Sequence, residues 1–205
     1  QDVIALGRLF KRGVYDASKI IALTGSEVIN PRYYRIIAGA SIKSIVDGLI
    51  SKTEHRYISG NPLTGSRVSH GGFLSYYDSQ VTVLPEGDHY EFLGWALPGL
   101  NKYSYSRSFW SWLFPDRGYR IDTNLHGGQR PFVMTGLYEK VFPMDIYPMQ
   151  LLKAIIAEDV DQMERLGIYE VVEEDFALCE FVDPSKTEMQ ALIRKGLDLI
   201  KQEMS

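Results

Sequence analysis

One cysteine, Cys179, and four histidines are all the soft metal-binding chemistry that this 205-residue sequence carries. A single thiol closes no intrachain disulfide. It also falls short of the thiolate set needed by an iron–sulfur cluster or a cysteine-only zinc site. So little cysteine fits a reducing compartment. His55, His70, His89 and His126 lie far apart and none has metal-ligand spacing, so the sequence names no metal site. No apolar run approaches the roughly 20 residues of a membrane-spanning helix. No Gly-x-Gly-x-x-Gly follows a strand pattern and no Gly-x-x-x-x-Gly-Lys loop occurs, which excludes nucleotide binding by either mechanism. The Gly-x-Ser-x-Gly elbow of the hydrolases is missing too. Excess positive charge is also lacking: 22 basic residues face 26 acidic ones, for a net charge of −4. That argues against a nucleic-acid binder, which needs a basic face.

What is present is ordinary globular material. The apolar fraction is 45%, enough for a packed core, and aromatics reach 12% with 13 tyrosines. The length suits one large domain or two small ones. The chain opens at Gln1 inside what reads as an element, which predicts the C-terminal part of a longer protein. Val3, Ile4, Leu6, Leu9 and Phe10 fit one side of a short helix stopped by Lys11-Arg12-Gly13. Strand patterns follow at 19–23 and 32–37, separated by turn residues. Ser41 is a candidate N-cap for a helix with Ile42, Ile45, Val46 and Leu49 on its stripe. Further strand patterns cover 55–59 and 80–84. Strand, strand, helix, strand, strand within about 70 residues is the order of a small β-grasp, or ubiquitin-like, module.

Pro85-Glu86-Gly87-Asp88 is a tight turn, so 80–84 and 90–95 are expected to form a hairpin. Residues 103–112 alternate, with Tyr103, Tyr105, Arg107 and Phe109 on one face and Trp110 and Trp112 on the other. Residues 119–124 and 131–135 add two short strand patterns, so the middle reads as a β-rich connector. From Pro148 the period becomes helical. Helices are expected at 148–157, at 159–166 before Gly167, and after Glu173-Glu174-Asp175. Thr187-x-x-Gln190 is a capping box for the last helix, whose stripe is Met189, Leu192, Ile193, Gly196, Leu197 and Ile200.

Sites of chemistry are few. The loop 60–65 offers backbone donors close to a ligand, with Gly60, Thr64 and Gly65 as candidate binding residues; a turn needing positive φ explains the same glycines. His70-Gly71-Gly72 and His126-Gly127-Gly128 echo oxyanion-hole loops but have no nucleophile motif to serve, so they read as turns. Asp159 and Asp161 begin like a calcium loop, without the later ligands. Glu173-Glu174-Asp175 reads as helix capping. Cys179, among Phe176, Leu178 and Val182, reads as a buried structural thiol. Trp95, Trp110 and Trp112 fit a core or an interface. Tyr103, Tyr105, Phe109, Trp110 and Trp112 are the candidate interface residues, because aromatic side chains anchor interfaces. No catalytic residue is indicated.

Two parts of the tail use one pattern. Val141-Phe142-Pro143-Met144 precedes a helical run with Met149-Gln150-Leu151-Leu152-Lys153. Val182-Asp183-Pro184-Ser185 precedes another with Met189-Gln190-Ala191-Leu192-Ile193-Arg194. Four further segments complete a recognisable set: Ile58-Ser59-Gly60-x-x-Leu63-Thr64-Gly65, Phe92-Leu93-Gly94-Trp95-x-x-Pro98-Gly99-x-x-Lys102-x-Ser104, Gly136-x-Tyr138-Glu139-Lys140-Val141-x-Pro143-x-Asp145-Ile146-x-Pro148, and Glu173-Glu174-Asp175-x-Ala177-Leu178-Cys179-x-Phe181-Val182. In order and over nearly the whole chain, these resemble the A subunit of the bacterial sodium-translocating NADH:quinone oxidoreductase.

The resemblance implies an α+β chain that is the C-terminal half of a protein about twice as long. Residues 1–16 would end a Rossmann-like domain, and 17–100 would be a soluble-ligand-binding β-grasp domain. Residues 101–136 would be the connector, and 137–205 a helical bundle resembling a ferredoxin-like helical domain without its cluster. In the related Rnf subunit, cluster cysteines accompany the equivalents of 142–144 and 182–186; Cys179 would be a survivor, and Asp183 stands where the family often has a second cysteine. The resemblance further implies a peripheral subunit on the cytoplasmic face of the inner membrane, docked on the membrane-embedded B subunit. It would be cofactor-free: FAD, FMN, riboflavin and an iron–sulfur centre belong to other subunits of a complex that oxidises NADH, reduces quinone and exports Na⁺. A stand-alone quinone-binding β-grasp module and an Rnf-type electron carrier are the competing expectations. The missing thiolates oppose the second.

Overall fold

The computed structural model describes residues 2–51, 54–89, 91–94, 96–114, 116, 118–132 and 136–204. The chain divides into two compact units, Gln1–Asn124 and Leu125–Ser205.

The first unit begins with helix α1, Asp2–Arg12. Gly13, at φ +70°, ends it by donating its N–H to Leu9 O at 2.7 Å. None of α1's residues is buried, and Val3, Ile4, Leu6 and Phe10 are exposed. Strands β1 (Ser18–Thr24) and β2 (Arg32–Ile37) then pair antiparallel. The chain leaves β1 through Gly25 at φ +116°, where a Cβ would lie 2.0 Å from the carbonyl oxygen of Val83. Only glycine passes there. Helix α2 (Ile42–Val46) starts as expected at Ser41, whose hydroxyl accepts the N–H of Ser44 at 3.3 Å. It stops before Leu49, which is half-buried against the same core.

Strands β3 (His55–Ser59), β4 (Ser66–Val68) and β5 (Gln80–Pro85) complete a mixed sheet in the order β2-β1-β5-β3-β4. The last strand in sequence sits in the middle, parallel to β1 and antiparallel to β3. Ile21, Leu23, Val81 and Val83 on one sheet face bury against Ile42, Ile45 and Val46 of α2, with Val28 and Leu74 closing the ends. At about 1.5–3 kcal/mol for each fully buried aliphatic side chain, this face dominates the stability of the unit.

Three expectations fail in the first unit. β4 falls where a loop is expected: three residues, two of them exposed, carry no hydrophobic alternation. The hairpin of 80–84 with 90–95 does not form, because β5 already has β1 on one edge and β3 on the other; Tyr90 and Trp95 lie outside the described residues. The β-rich connector is not β: no strand forms after Pro85 among the described residues. Residues 103–112 alternate but pair with no strand among the described residues, and an unpaired strand leaves its backbone groups without partners. They fold locally instead, ending in a 3₁₀ turn at Trp110–Leu113. Residues 119–124 run as an irregular segment, and 131–135 extends into residues outside the described set.

The second unit is helical, as the change of period predicted. Helix α3 (Pro148–Ile156) has Pro148 at its start, where the missing N–H costs nothing. Asp159 caps α4 (Val160–Arg165) by accepting the N–H of Gln162 at 3.0 Å, and Gly167, at φ +87°, follows it. Asp159 thus serves as a helix cap. The acids 173–175 open a 3₁₀ turn, with Asp175 accepting the N–H of Val172 at 2.9 Å, and α5 (Ala177–Val182) continues from it. Helix α6 (Met189–Glu203) is the longest. Its expected capping box is not made: the cap position falls on Glu188, which makes no side-chain cap bond, while the backbone N–H of Gln190 donates to Glu180 at 3.0 Å.

Tyr138, Phe142, Met149, Leu152, Ile155, Met163, Phe176, Met189 and Ile193 form the core of this unit. Gly196 lets α6 approach closely, because a Cβ there would lie 2.9–3.1 Å from Ile155 and Ile168. No helix among the described residues is long and apolar enough to cross a membrane.

Candidate functional site

The loop between β3 and β4 carries the sequence-derived ligand residues. Gly60 has φ +98°. Its N–H donates to Gln80 O at 2.8 Å, and its carbonyl accepts the hydroxyl of buried Thr82 at 2.8 Å. Asn61 Oδ1 accepts the N–H groups of Leu63 at 2.8 Å and Thr64 at 3.0 Å. Its amide donates to Thr64 Oγ1 at 2.8 Å, and Gly65 N–H returns to Asn61 O at 2.9 Å. A Cβ on Gly65 would stand 2.5 Å from the carbonyl oxygens of Asn61 and Ser59, so crowding requires that glycine. The backbone donors attributed to a ligand are therefore engaged inside the loop. The exposed Thr64 hydroxyl, an acceptor for Asn61, keeps its own hydrogen to give. At the loop's base, Ser59 accepts Ser75 N–H at 3.0 Å and donates to Asp78.

The candidate interface residues lie in the irregular segment after the sheet. Tyr103, Tyr105, Trp110 and Trp112 are exposed, Trp110 by 61%. Phe109 differs: its ring fills the space left by the absent side chain of Gly99, with Lys102 Nζ 5.5 Å from the ring centre. Trp110 N–H donates to Pro98 O at 2.9 Å, and buried Ser111 donates to Lys102 O at 2.6 Å. These bonds fold 98–112 onto itself and turn aromatic rings outward. Phe92, Leu97, Leu100, Leu113 and Phe114 in the same segment are exposed as well. Trp95 lies outside the described residues. The segment thus leaves a run of large apolar side chains exposed.

Cys179 is fully buried, with Sγ 3.9 Å from the carbonyl oxygen of Tyr138. Burial, reinforced by the negative charge of Glu139, pushes its thiol up to about 12. At neutral pH it is a protonated core side chain, which agrees with its reading from sequence. Asp183, four residues on, is also buried. It accepts the Tyr138 hydroxyl at 2.6 Å, Ser185 N–H at 3.0 Å and Thr187 N–H at 2.7 Å. A carboxylate thus occupies the interior here and is satisfied by three donors. Phe142 and Phe176 pack in the same core with ring centres 4.7 Å apart. Among the described residues, no group of three or more His, Cys, Asp or Glu side chains is placed to hold a metal ion.

Sequence reasoning missed two charged groups in the first unit. Glu27 is 3% exposed and accepts both Nε and Nη2 of Arg120, at 2.9 and 2.6 Å, and Ser51 Oγ at 2.6 Å; His55 Nδ1 lies 4.0 Å away. Glu86 binds Arg56 and Arg67, and hydrogen bonding from Arg56 holds its carboxyl below the usual carboxylate range despite partial burial. A shallow concavity of about 360 Å³ lined by Arg56, Tyr57, Arg67 and His70 lies beside it. Both arginines are committed to Glu86, so little cationic charge is left for a ligand. Arg120 is 93 positions from Glu27, and no local pattern could have paired them.

Residues 20–70 match the family model described as the NQRA C-terminal domain. Over 99% of its length the chain is 44% identical to the A subunit of the Na(+)-translocating NADH-quinone reductase of Rhodopirellula baltica, covering 45% of that protein. It is 43% identical to the corresponding protein of Pasteurella multocida and 40% identical to that of Neisseria meningitidis, in each case over 99% of this chain and 46% of the relative. The chain thus spans about half the length of the curated relatives it matches.

Proposed function

We propose, for a chain that over its own length belongs with the A subunits of the Na(+)-translocating NADH-quinone reductases, that it is the C-terminal part of a docking and scaffold protein within the complex. In this reading the complex couples NADH oxidation and quinone reduction to Na⁺ export, and this part serves assembly rather than electron transfer. The observation that carries it is the aromatic surface at 92–114. Phe92, Tyr105, Trp110, Trp112 and Phe114 are exposed there, and a partner's apolar surface would cover them.

The finer parts of the proposal rest on local features. A β-grasp reading of 17–100 is supported by a central β5 parallel to β1, with α2 against one sheet face. A cluster-free ferredoxin-like reading of 137–205 is supported by a buried, protonated Cys179 and a buried Asp183, both in contact with Tyr138. Residues 1–16 would complete a preceding Rossmann-like domain, with 101–136 as the connector; the bare apolar side of α1 supports the first. The partner is the membrane-embedded B subunit, met from the cytoplasmic face of the inner membrane. FAD, FMN, riboflavin and the iron–sulfur centre belong to other subunits. Quinone access, if this part contributes to it, would run past Thr64, whose hydroxyl is free to donate.

The test uses the assembled complex carrying Trp110→Ala and Trp112→Ala in this protein. The expected result is its loss from the purified complex while the variant keeps its own unfolding transition. Full stoichiometric assembly of the double variant, with normal turnover, would overturn the docking role.

A further inference from the structure

Among the described residues, the sheet of the first unit has two edges with no further strand paired to them, and they differ. β4 is three residues long and polar, so it offers almost no ladder. β2 runs for six residues, Arg-Tyr-Tyr-Arg-Ile-Ile, with no glycine or proline within it. Long edge strands are templates for another strand unless something blunts them. Ala38 N–H donates to Ala17 O at 2.9 Å, just beyond the end of the β1–β2 pairing. With the register from Ser18↔Ile37 to Leu23↔Arg32, ladder alternation makes Lys19/Ile36, Ile21/Tyr34 and Leu23/Arg32 the bonded pairs. It turns N–H and C=O of Tyr33 and Arg35, and the N–H of Ile37, outward from the sheet. The Ile37 carbonyl is already taken by Ala40 N–H at 3.0 Å.

The same three residues carry exposed side chains on the sheet face away from α2. Tyr33 is 78% exposed, Ile37 is 69% exposed, and Arg35 between them is exposed too. Ile20, opposite Arg35 on β1, extends this apolar surface. Tyr34 and Ile36 point the other way, into the core. Arg32 lies over the Tyr34 ring at 4.8 Å. Arg35 pairs with no carboxylate among the described residues.

We propose that β2 docks an extended, acidic segment of another protein, which adds to the sheet as a sixth strand beyond β2. The edge supplies two N–H and two C=O groups at Tyr33 and Arg35 and one further N–H at Ile37. The side chains set the code. Facing Tyr33, Arg35 and Ile37, the partner presents apolar, acidic and apolar residues at alternate positions, a pattern that reads the same in either direction. Arg35 selects the occupant by charge: an antiparallel second copy of β2 with Tyr33 opposite Ile37 would set Arg35 against its own like, and a basic segment is repelled as well. This edge shares no residue with the aromatic segment 92–114, so either surface can fail its test without the other.

The test titrates the isotope-labelled 205-residue chain with the blocked peptide Ser-Val-Thr-Glu-Thr-Val-Ser and with its counterpart carrying Lys in place of Glu. Binding of the Glu peptide is expected to shift the Tyr33 and Arg35 backbone amides and slow their hydrogen exchange. It is expected to exceed binding of the Lys peptide by about two- to fivefold, the upper part of the range of a cross-strand charge pair. Arg35→Glu should invert that preference. Tyr33→Pro should abolish binding while sparing the β1 ladder, because it removes only an outward N–H. The proposal is overturned if the two peptides bind alike, if the affected amides lie elsewhere, or if those amides are protected instead by concentration-dependent dimerisation.

Discussion

The two units solve the problem of apolar surface in opposite ways. Leu125–Ser205 packs Tyr138, Phe142, Phe176 and most of its buried aliphatic residues around one core and seals Cys179 within it. Gln1–Asn124 buries one face of a five-stranded sheet under a five-residue helix, then exposes much of the rest: α1, the open face of β1 and β2, and the aromatic segment 92–114. Aromatics are denser in the first unit, which holds 18 of the 25 and all three tryptophans. Hydrophobic period separates the units as well. A stripe recurring every three to four residues is buried by neighbouring helices, whereas the alternating run 103–112 pairs with no strand among the described residues and folds as a local turn. The densest run of exposed aromatic side chains lies in the sheet unit, at 92–114, although the helical unit also exposes Tyr147, Ile156, Tyr169, Leu178 and Met204.

The comparison breaks most sharply if the helical core proves dispensable. Phe176 is fully buried, packs on Phe142 and belongs to the core that α6 closes. Phe176→Ala is expected to cost about 3–5 kcal/mol, the range for deleting a buried aromatic ring. All three tryptophans, at 95, 110 and 112, lie in the first unit. Their fluorescence therefore reports that unit, while most helical circular dichroism reports the other. The expected outcome is an early loss of helical signal with the fluorescence transition unmoved. Coincident early transitions would show that the two units do not fold independently.

The matching test in the sheet unit is Gly25→Ala. A methyl there meets the Val83 carbonyl at 2.0 Å and must also hold φ near +116°. Left-handed strain and overlap with a backbone atom together are expected to cost about 2–4 kcal/mol. Here the fluorescence midpoint in denaturant should fall and the helical signal should hold. A neutral result would mean that the β1–β5 contact at Gly25 is looser than its geometry.

These two residues also mark what is legible in the sequence. β1, β2, β3, β5, α3 and α4 are all readable within a residue or two, because each combines strong periodicity with a cap or a turn; α2 is readable at its start but ends three residues before Leu49. β4 is not, because three mostly polar residues carry no period and are strand only by pairing with β3. The capping box at Thr187 fails for a tertiary reason: Asp183 and Glu180 reach the same N–H groups first. Of the candidate sites, Gly60 and Gly65 do need glycine, as their loop pattern implies, but Asn61, which takes up the loop's donors, gives no such signal. The aromatic segment shows its interface chemistry in composition, while its alternation suggests a strand geometry that is mistaken. Its exposure follows from the local turn at 98–112 instead. Glu27 and Arg120 have no sequence signal at all.

A smaller effect probes the polar side of the sheet unit. Glu86 is held below the ordinary carboxylate range, first by its hydrogen bond from Arg56 and then by the charges of Arg56 and Arg67, against a raising contribution from burial. A carboxylate whose folded pKa is depressed adds stability that is complete above its unfolded value, and loses it as pH falls through the folded one. Because Arg67 is largely exposed, the contribution is on the order of 1 kcal/mol after screening. Acid titration of the fluorescence midpoint should therefore show a downward slope below pH ~4.5. Glu86→Gln should flatten that slope. An unchanged slope would assign the acid sensitivity to another group, with Asp16 the other carboxylate of this unit held low, by Ser18 and Arg8.

The smallest expected effect decides the comparison itself. If 92–114 is surface waiting for a partner, its exposed tryptophans contribute little to the free chain. Trp110→Ala and Trp112→Ala together should then move the calorimetric stability of the 205-residue chain by no more than about 0.5 kcal/mol, the range for exposed positions. Their backbone neighbours, not their rings, hold the turn: Trp110 N–H reaches Pro98 O and Ser111 holds Lys102 O, and alanine keeps the first of these bonds and leaves the second untouched. A loss of about 2 kcal/mol or more would mean that the rings pack inside the unit, as buried side chains do, and 92–114 would not be surface left for a partner. A neutral result places the energy of these rings elsewhere, in a contact the free chain cannot make, where burying one tryptophan is worth far more than the half kilocalorie it contributes alone.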